Sequence, residues 1–149
     1  MPIQVLFHHS DTVRNCDVQR LKTAIRSIAH DYGWTDGDIS IALMADAEIR
    51  ELNNKHLCHD YETDVISFDL TSSDEFLEAE IIASVETADR EACEHGWHGE
   101  DELLLYIIHG MLHVVGLRDK RKKETKEMRQ AEQHYLAEFN LTPKGRSSL

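Results

Sequence analysis

The chain has 149 residues, 41% of them hydrophobic, which suits one domain with a real core. Its formal net charge of −12 excludes indiscriminate nucleic-acid binding, because most of the surface would repel a phosphate backbone. Cys16, Cys58 and Cys93 are odd in number and lack Cys-x-x-Cys spacing, so neither a disulfide framework nor a thiolate zinc site is indicated and the cytoplasm is the expected compartment.

In chain order, the opening Met-Pro-Ile-Gln-Val-Leu-Phe has neither a basic start nor a long apolar run, so no signal peptide is expected. Ile3, Val5 and Phe7 alternate with polar neighbours as a first strand. Val18, Leu21, Ile25, Ile28 and Ala29 recur at helical spacing over Asp17 to Tyr32, with Gly33 as the stop. Ile39, Ile41 and Leu43 predict a second strand, after which Asp46 caps a short helix carrying Ile49 and Leu52. Val65 to Phe68 and Ile81 to Val85 are short β-branched runs joined by an acidic loop through Ser72, Ser73 and Asp74.

The second half reads as helical: Glu86 to His95, a glycine-punctuated loop around Trp97, an apolar helix from Glu100 to Val115, and a charged amphipathic helix from Lys120 to Phe139. Residues 143–149 are expected to fray. Leu103 to Val115, the longest apolar run, carries two histidines and falls short of the roughly 20 residues of a membrane span. About four strands, paired early, and about five helices, gathered late, predict an α+β fold with a mixed sheet in a single domain over residues 1–149.

The chemistry is concentrated in His109-Gly110-Met111-Leu112-His113-Val114-Val115-Gly116-Leu117-Arg118-Asp119. In a chain with ten histidines one His-x-x-x-His pair means little by itself. Here the pair sits in a helix that is apolar nearly all round, and residues four apart share a face. Two imidazoles buried together need partners; carbonyls or carboxylates would serve, and so would a divalent metal bound at about 2.0–2.1 Å. Gly116 can end the helix with a left-handed turn that brings Asp119 back to the histidines. The spacing His-x-x-x-His-x-x-Gly-x-x-Asp then predicts a metal site at the end of the buried helix, with His109, His113 and Asp119 as ligands and a fourth position for water. Zinc is the expected ion, one per chain, and hydrolysis the expected chemistry. Gly110 stands where zinc peptidases place their glutamate, so a metallopeptidase is disfavoured. Gly110 also costs about 1 kcal/mol relative to alanine inside a helix, which points to a close approach of something at its backbone.

His109-Gly110-x-Leu112-His113-x-x-Gly116 resembles the signature of the YbeY family, zinc-dependent single-strand-specific endoribonucleases of rRNA maturation. The resemblance extends to Leu52-Asn53, to Thr63-Asp64-Val65-Ile66-Ser67-Phe68 and to Ala79-Glu80-Ile81-Ile82. It implies a metal-dependent endoribonuclease acting on single-stranded RNA, ribosomal RNA above all, with the ribosome or its proteins as partners and neither DNA nor membrane. The chain departs from the family twice: Asp119 replaces a third histidine, and Leu57 falls where the family has an arginine. An aspartate retains a metal while admitting divalent ions other than zinc. Leu57 removes a guanidinium that would hold a phosphate, and the loss favours, as the alternative, a non-catalytic ribosome-assembly factor stapled by its metal.

Lys120 to Arg129 holds six basic and two acidic residues, a pattern that also suits a solvated helix face. Beside Asp119, its Lys120 and Arg121, with Lys122 and Lys123, are candidate substrate contacts in place of the missing arginine. Asp64 is a second candidate, as an acceptor orienting water or a ligand histidine, while strand-start capping serves Thr63, Asp64 and Ser67 equally well. His56, Cys58, His59 and Asp60 form a further cluster whose spacing fits no common metal site. His95 and His98 read as loop residues facing solvent.

Overall fold

The computed structural model describes residues 2–57 and 64–142, and the side chains of all of these but 53–57. The elements are β1 Ile3–His9, α1 Val18–Asp31, β2 Gly37–Met44, α2 Asp46–Leu57, β3 Val65–Asp69, β4 Leu77–Ser84, α3 Val85–His95, α4 Gly99–Val114 and α5 Lys122–Ala137. Strands run in the order β1-β2-β4-β3. The first three are parallel, and β3 pairs antiparallel with β4 as the outer strand. Among the described residues the result is the mixed four-stranded sheet with five helices that the pattern predicts.

Period-two alternation makes the sheet two-faced. Ile39, Ile41 and Leu43 of β2 line up with Ala79, Ile81 and Ala83 of β4, and all six are buried in the main core with α1, α4 and α5. The opposite face carries a smaller apolar group of Ala42, Ile82 and Ile49 of α2, with Leu52, Ile66 and Phe68 partly buried around it. Strand β4 begins four residues before Ile81, because Leu77 and Ala79 extend the buried row while Glu78 and Glu80 take the other face. It ends one residue before Val85, since Ser84 caps α3 through Thr87 N–H at 3.1 Å.

Helix α4 is buried on nearly every side, packing against α1, α3, α5, β3 and β4. Its first turn is acidic, a favourable match to the helix dipole, and each acid is tied down. Glu100 pairs with Arg14, whose guanidinium also holds Asp89 at 2.7 Å; Asp101 pairs with Arg20 at 2.8 Å; Glu102 accepts Trp97 Nε1–H at 2.9 Å. These bonds register α4 on its neighbours and so fix where its other end lies. Burial pushes the nearby Cys16 thiol up to about 11, which keeps it protonated and inert as a ligand. Among the described residues no helix is long and apolar enough to cross a membrane.

At its C-terminal end α4 stops at Gly116, φ +114°. Gly116 N–H donates to His113 O at 3.0 Å and Leu117 N–H to Leu112 O at 2.9 Å, the paired bonds of a Schellman ending. The chain then reverses toward α5. That helix begins at Lys122, two residues later than the charge pattern suggests, because Arg121 is its N-cap and donates its backbone N–H to Glu124 at 3.0 Å.

Candidate metal centre

His109 and His113 lie one turn apart near the end of α4, the first 7% exposed and the second half-buried. Each ring is oriented through Nδ1. His113 Nδ1 meets Leu117 O at 3.0 Å, and since a carbonyl only accepts, that nitrogen carries the proton. His109 Nδ1 donates to the Glu132 carboxylate at 2.6 Å. In the neutral form of each ring this leaves Nε2 with the lone pair, and the two Nε2 atoms face one another 3.0 Å apart across rings inclined at 84°.

Two Nε2 atoms this close are accounted for either by a proton shared between them or by a cation that both ligate. Asp119 Oδ2 lies 3.5 Å from both Nε2 atoms, equidistant and beyond hydrogen-bond range. A bridging proton would leave that carboxylate idle. Donors about 2.1 Å from a tetrahedral ion stand roughly 3.4 Å from one another, and the three separations observed bracket that value. The donor set thus fits a divalent ion, with two neutral imidazoles and one carboxylate. Side-chain exposures of 9% for His109, 29% for His113 and 31% for Asp119 show that it is closed toward the core and open toward solvent on the Asp119 side.

Asp119 is held in place by its backbone: its carbonyl accepts from Thr125 Oγ1 at 2.8 Å, which straps the ligand loop to the first turns of α5. The same helix supplies Glu132, a contact that the sequence reading misses along with Leu117 O. A signal was present, because Glu132 falls on the same stripe as the buried Met128, Tyr135 and Leu136, where an acid needs a reason.

The other predicted residues divide. Gly110 does face a close neighbour, but it is the sheet: a Cβ there would lie 3.0 Å from Ile81 Cγ2 and 3.3 Å from Val65 Cγ2. Asp64 opens β3, its carboxylate accepting Val65 N–H at 2.7 Å and its carbonyl accepting Ser84 N–H at 2.9 Å, and it stands outside the group of three donors. Ser67 lies mid-strand opposite Ile81. Lys120, Arg121, Lys122 and Lys123 are all exposed directly beyond Asp119, with exposed Arg118 before it. Lys122 and Lys123 occupy the first turn of α5, where the helix dipole disfavours cations. Helix stability therefore does not account for them.

His95 ends α3 near Glu91 and His98 is the exposed N-cap of α4; neither approaches the donors. The side chains of Asn53, His56 and Leu57, and residues Cys58, His59, Asp60, Thr63 and the tail 143–149, lie outside what the structure describes. A second grouping, Asp31, His134 and Glu138, lies on the surface, and its carboxylates are engaged by Tyr135 OH at 2.8 Å and Ser27 Oγ at 2.9 Å.

Comparison with known proteins gives one consistent result. The family model described as Endoribonuclease YbeY matches residues 7–140. A protein of that name from Bacteroides thetaiotaomicron is 35% identical over 132 residues, 87% of this chain and 96% of the relative. Another from Chloroherpeton thalassium is 37% identical over 119 residues, 80% of this chain and 84% of the relative. The solution structure of TM1509 from Thermotoga maritima superposes with a TM-score of 0.62 at 24% identity, covering 97% of this chain and 99% of that one, a likeness of fold.

Proposed function

Because the chain belongs to the YbeY endoribonuclease family, we propose that it is a metal-dependent endoribonuclease of the cytoplasm that cuts single-stranded RNA, ribosomal RNA during maturation in particular. Its ion, zinc in the first instance, is held by His109, His113 and Asp119. The observation that carries this reading is the convergence of two Nε2 lone pairs and one carboxylate oxygen on a single point open to solvent. A divalent ion held there supplies water acidified toward neutral pH and a Lewis-acid contact for a phosphate oxygen.

The protein's own contribution is orientation and charge. Leu117 O and Glu132 fix the two tautomers, so the donors are ready without rearrangement. Arg118, Lys120 and Arg121 place positive charge beside the open edge of an otherwise acidic molecule, where a phosphodiester must lie. Gly110, pressed on Ile81, leaves no room for a peptidase's glutamate.

Purified protein is expected to cleave single-stranded rRNA fragments, to lose that activity on chelation and to regain it with zinc. Metal-loaded protein that leaves the RNA intact would instead make it the non-catalytic assembly factor. Neutralising Lys120, Arg121, Lys122 and Lys123 together is expected to weaken RNA binding and to flatten its dependence on salt by up to about four counterions. Unchanged binding across a salt series would remove the rim from the substrate path.

A further inference from the structure

The carboxylate behind His109 serves two partners through one oxygen. Glu132 Oε2 accepts from His109 Nδ1 at 2.6 Å and from Arg129 Nη1. The pair is deep: the side chain of Glu132 is 5% exposed and that of Arg129 14%. Replacing a buried ion pair by apolar side chains is often neutral or stabilising, so stability does not explain why α5 puts charge on its inner stripe. Arg129, moreover, reaches this oxygen while its buried Nε finds no acceptor among the described residues.

Charge offers the explanation. Two carboxylates, Asp119 as ligand and Glu132 behind His109, cancel the charge of a divalent ion, and a neutral centre attracts a phosphodiester weakly. A guanidinium is ionised at every working pH, so Arg129 returns one positive unit to the cluster.

We propose that Glu132 is a positioning residue that holds His109 with Nε2 toward the ion, and that Arg129, bonded to the same carboxylate, keeps the loaded centre net positive. The proposal rests on the metal reading above. It assigns no chemistry to either residue at the reacting atoms.

The test uses the full chain stripped of metal, with zinc affinity measured by competition against a chromophoric chelator and His109 protonation read from long-range 1H–15N spectra. Glu132→Gln is expected to bind zinc about 10–100-fold more weakly and to lose the single Nδ1–H tautomer of His109. Glu132→Met, which removes both carboxylate oxygens, should do the same. Arg129→Met is expected to bind zinc roughly tenfold more tightly and to bind inorganic phosphate, in the zinc-loaded form, roughly tenfold more weakly, the scale of one unit charge several ångströms away. Arg129→Lys should restore both.

Wild-type zinc affinity and an unchanged tautomer in Glu132→Gln would overturn the positioning role. Zinc binding that is unchanged or weaker in Arg129→Met would overturn the charge role. Thermal unfolding of the metal-free variants checks that they fold, and Glu132→Gln/Arg129→Met supplies a form without a stranded guanidinium. Failure of the metal reading looks different: wild type without stoichiometric zinc, or His113→Ala binding zinc as wild type does.

Discussion

His113→Ala is expected to abolish stoichiometric zinc binding and to lower RNA cleavage by more than about 100-fold, since loss of a ligand should exceed the 10–100-fold typical of groups behind the ligands. The imidazole does two things that alanine cannot. It presents Nε2 to the point shared with His109 and Asp119, and through Nδ1 it ties α4 to the Leu117 carbonyl in the reversal that carries Asp119. His113 is only half-buried, so truncation should leave the fold intact, and unfolding curves of the metal-free proteins should nearly coincide. Asp119→Ala is the informative companion. Two histidines retain some affinity, so weakened rather than abolished binding is expected, whereas Asp119→His should bind zinc at least as tightly as wild type. Wild-type zinc content in Asp119→Ala would show that the third donor lies elsewhere.

Gly110→Glu is expected to have the largest effect on stability, about 4–5 kcal/mol or outright failure to fold. The substitution recreates the His-Glu-x-x-His pattern of zinc peptidases, and on sequence alone it would look like a gain of catalytic base. The structure assigns it the opposite outcome. Position 110 faces the seam between α4 and the sheet, where a Cβ already meets Ile81 Cγ2 at 3.0 Å and Val65 Cγ2 at 3.3 Å, and Ile81 itself is fully buried. A carboxylate there would be buried among aliphatic side chains with nothing to pair it. Against a typical domain stability of about 5–15 kcal/mol, that cost is decisive. Gly110→Ala separates shape from charge: the helix gains about 1 kcal/mol in propensity, offset by a methyl pressed on Ile81, so urea denaturation should show a small net change. A Gly110→Glu protein as stable as wild type would mean that the residue faces the metal after all.

Much of this arrangement is legible in the sequence. Strand β2 shows in Ile39, Ile41 and Leu43, helix α4 in an apolar run too long for a strand, and the convergence of Asp119 on the two histidines in Gly116, whose positive φ supplies the reversal. What stayed hidden depends on contacts between segments distant in sequence. Nothing in β4 says that it inserts between β2 and β3, because strand order is set by which buried faces meet across the molecule. Glu78 and Glu80 concealed the first half of β4, since acidic residues lower β propensity even where alternation is intact. Glu132 was lost in a helix so rich in Glu, Lys and Arg that one inward carboxylate resembles a surface pair until α4 is packed against it.

The three donors all fall within residues 109–119, a single short stretch of chain. An unfolded chain therefore keeps them close together and can capture an ion loosely before any core has formed. Metal stabilises the native state only by the difference between folded and unfolded affinity, so a ligand set this local would on its own contribute little to folding. Any such difference has to come from contacts made in the folded structure. Packing of α5 on α4 brings the Glu132 carboxylate to His109, and the first turn of α5 brings the Thr125 hydroxyl to the Asp119 carbonyl. If these residues hold an ion, the eleven residues 109–119 supply its donors, and the packed tertiary structure supplies what orients them.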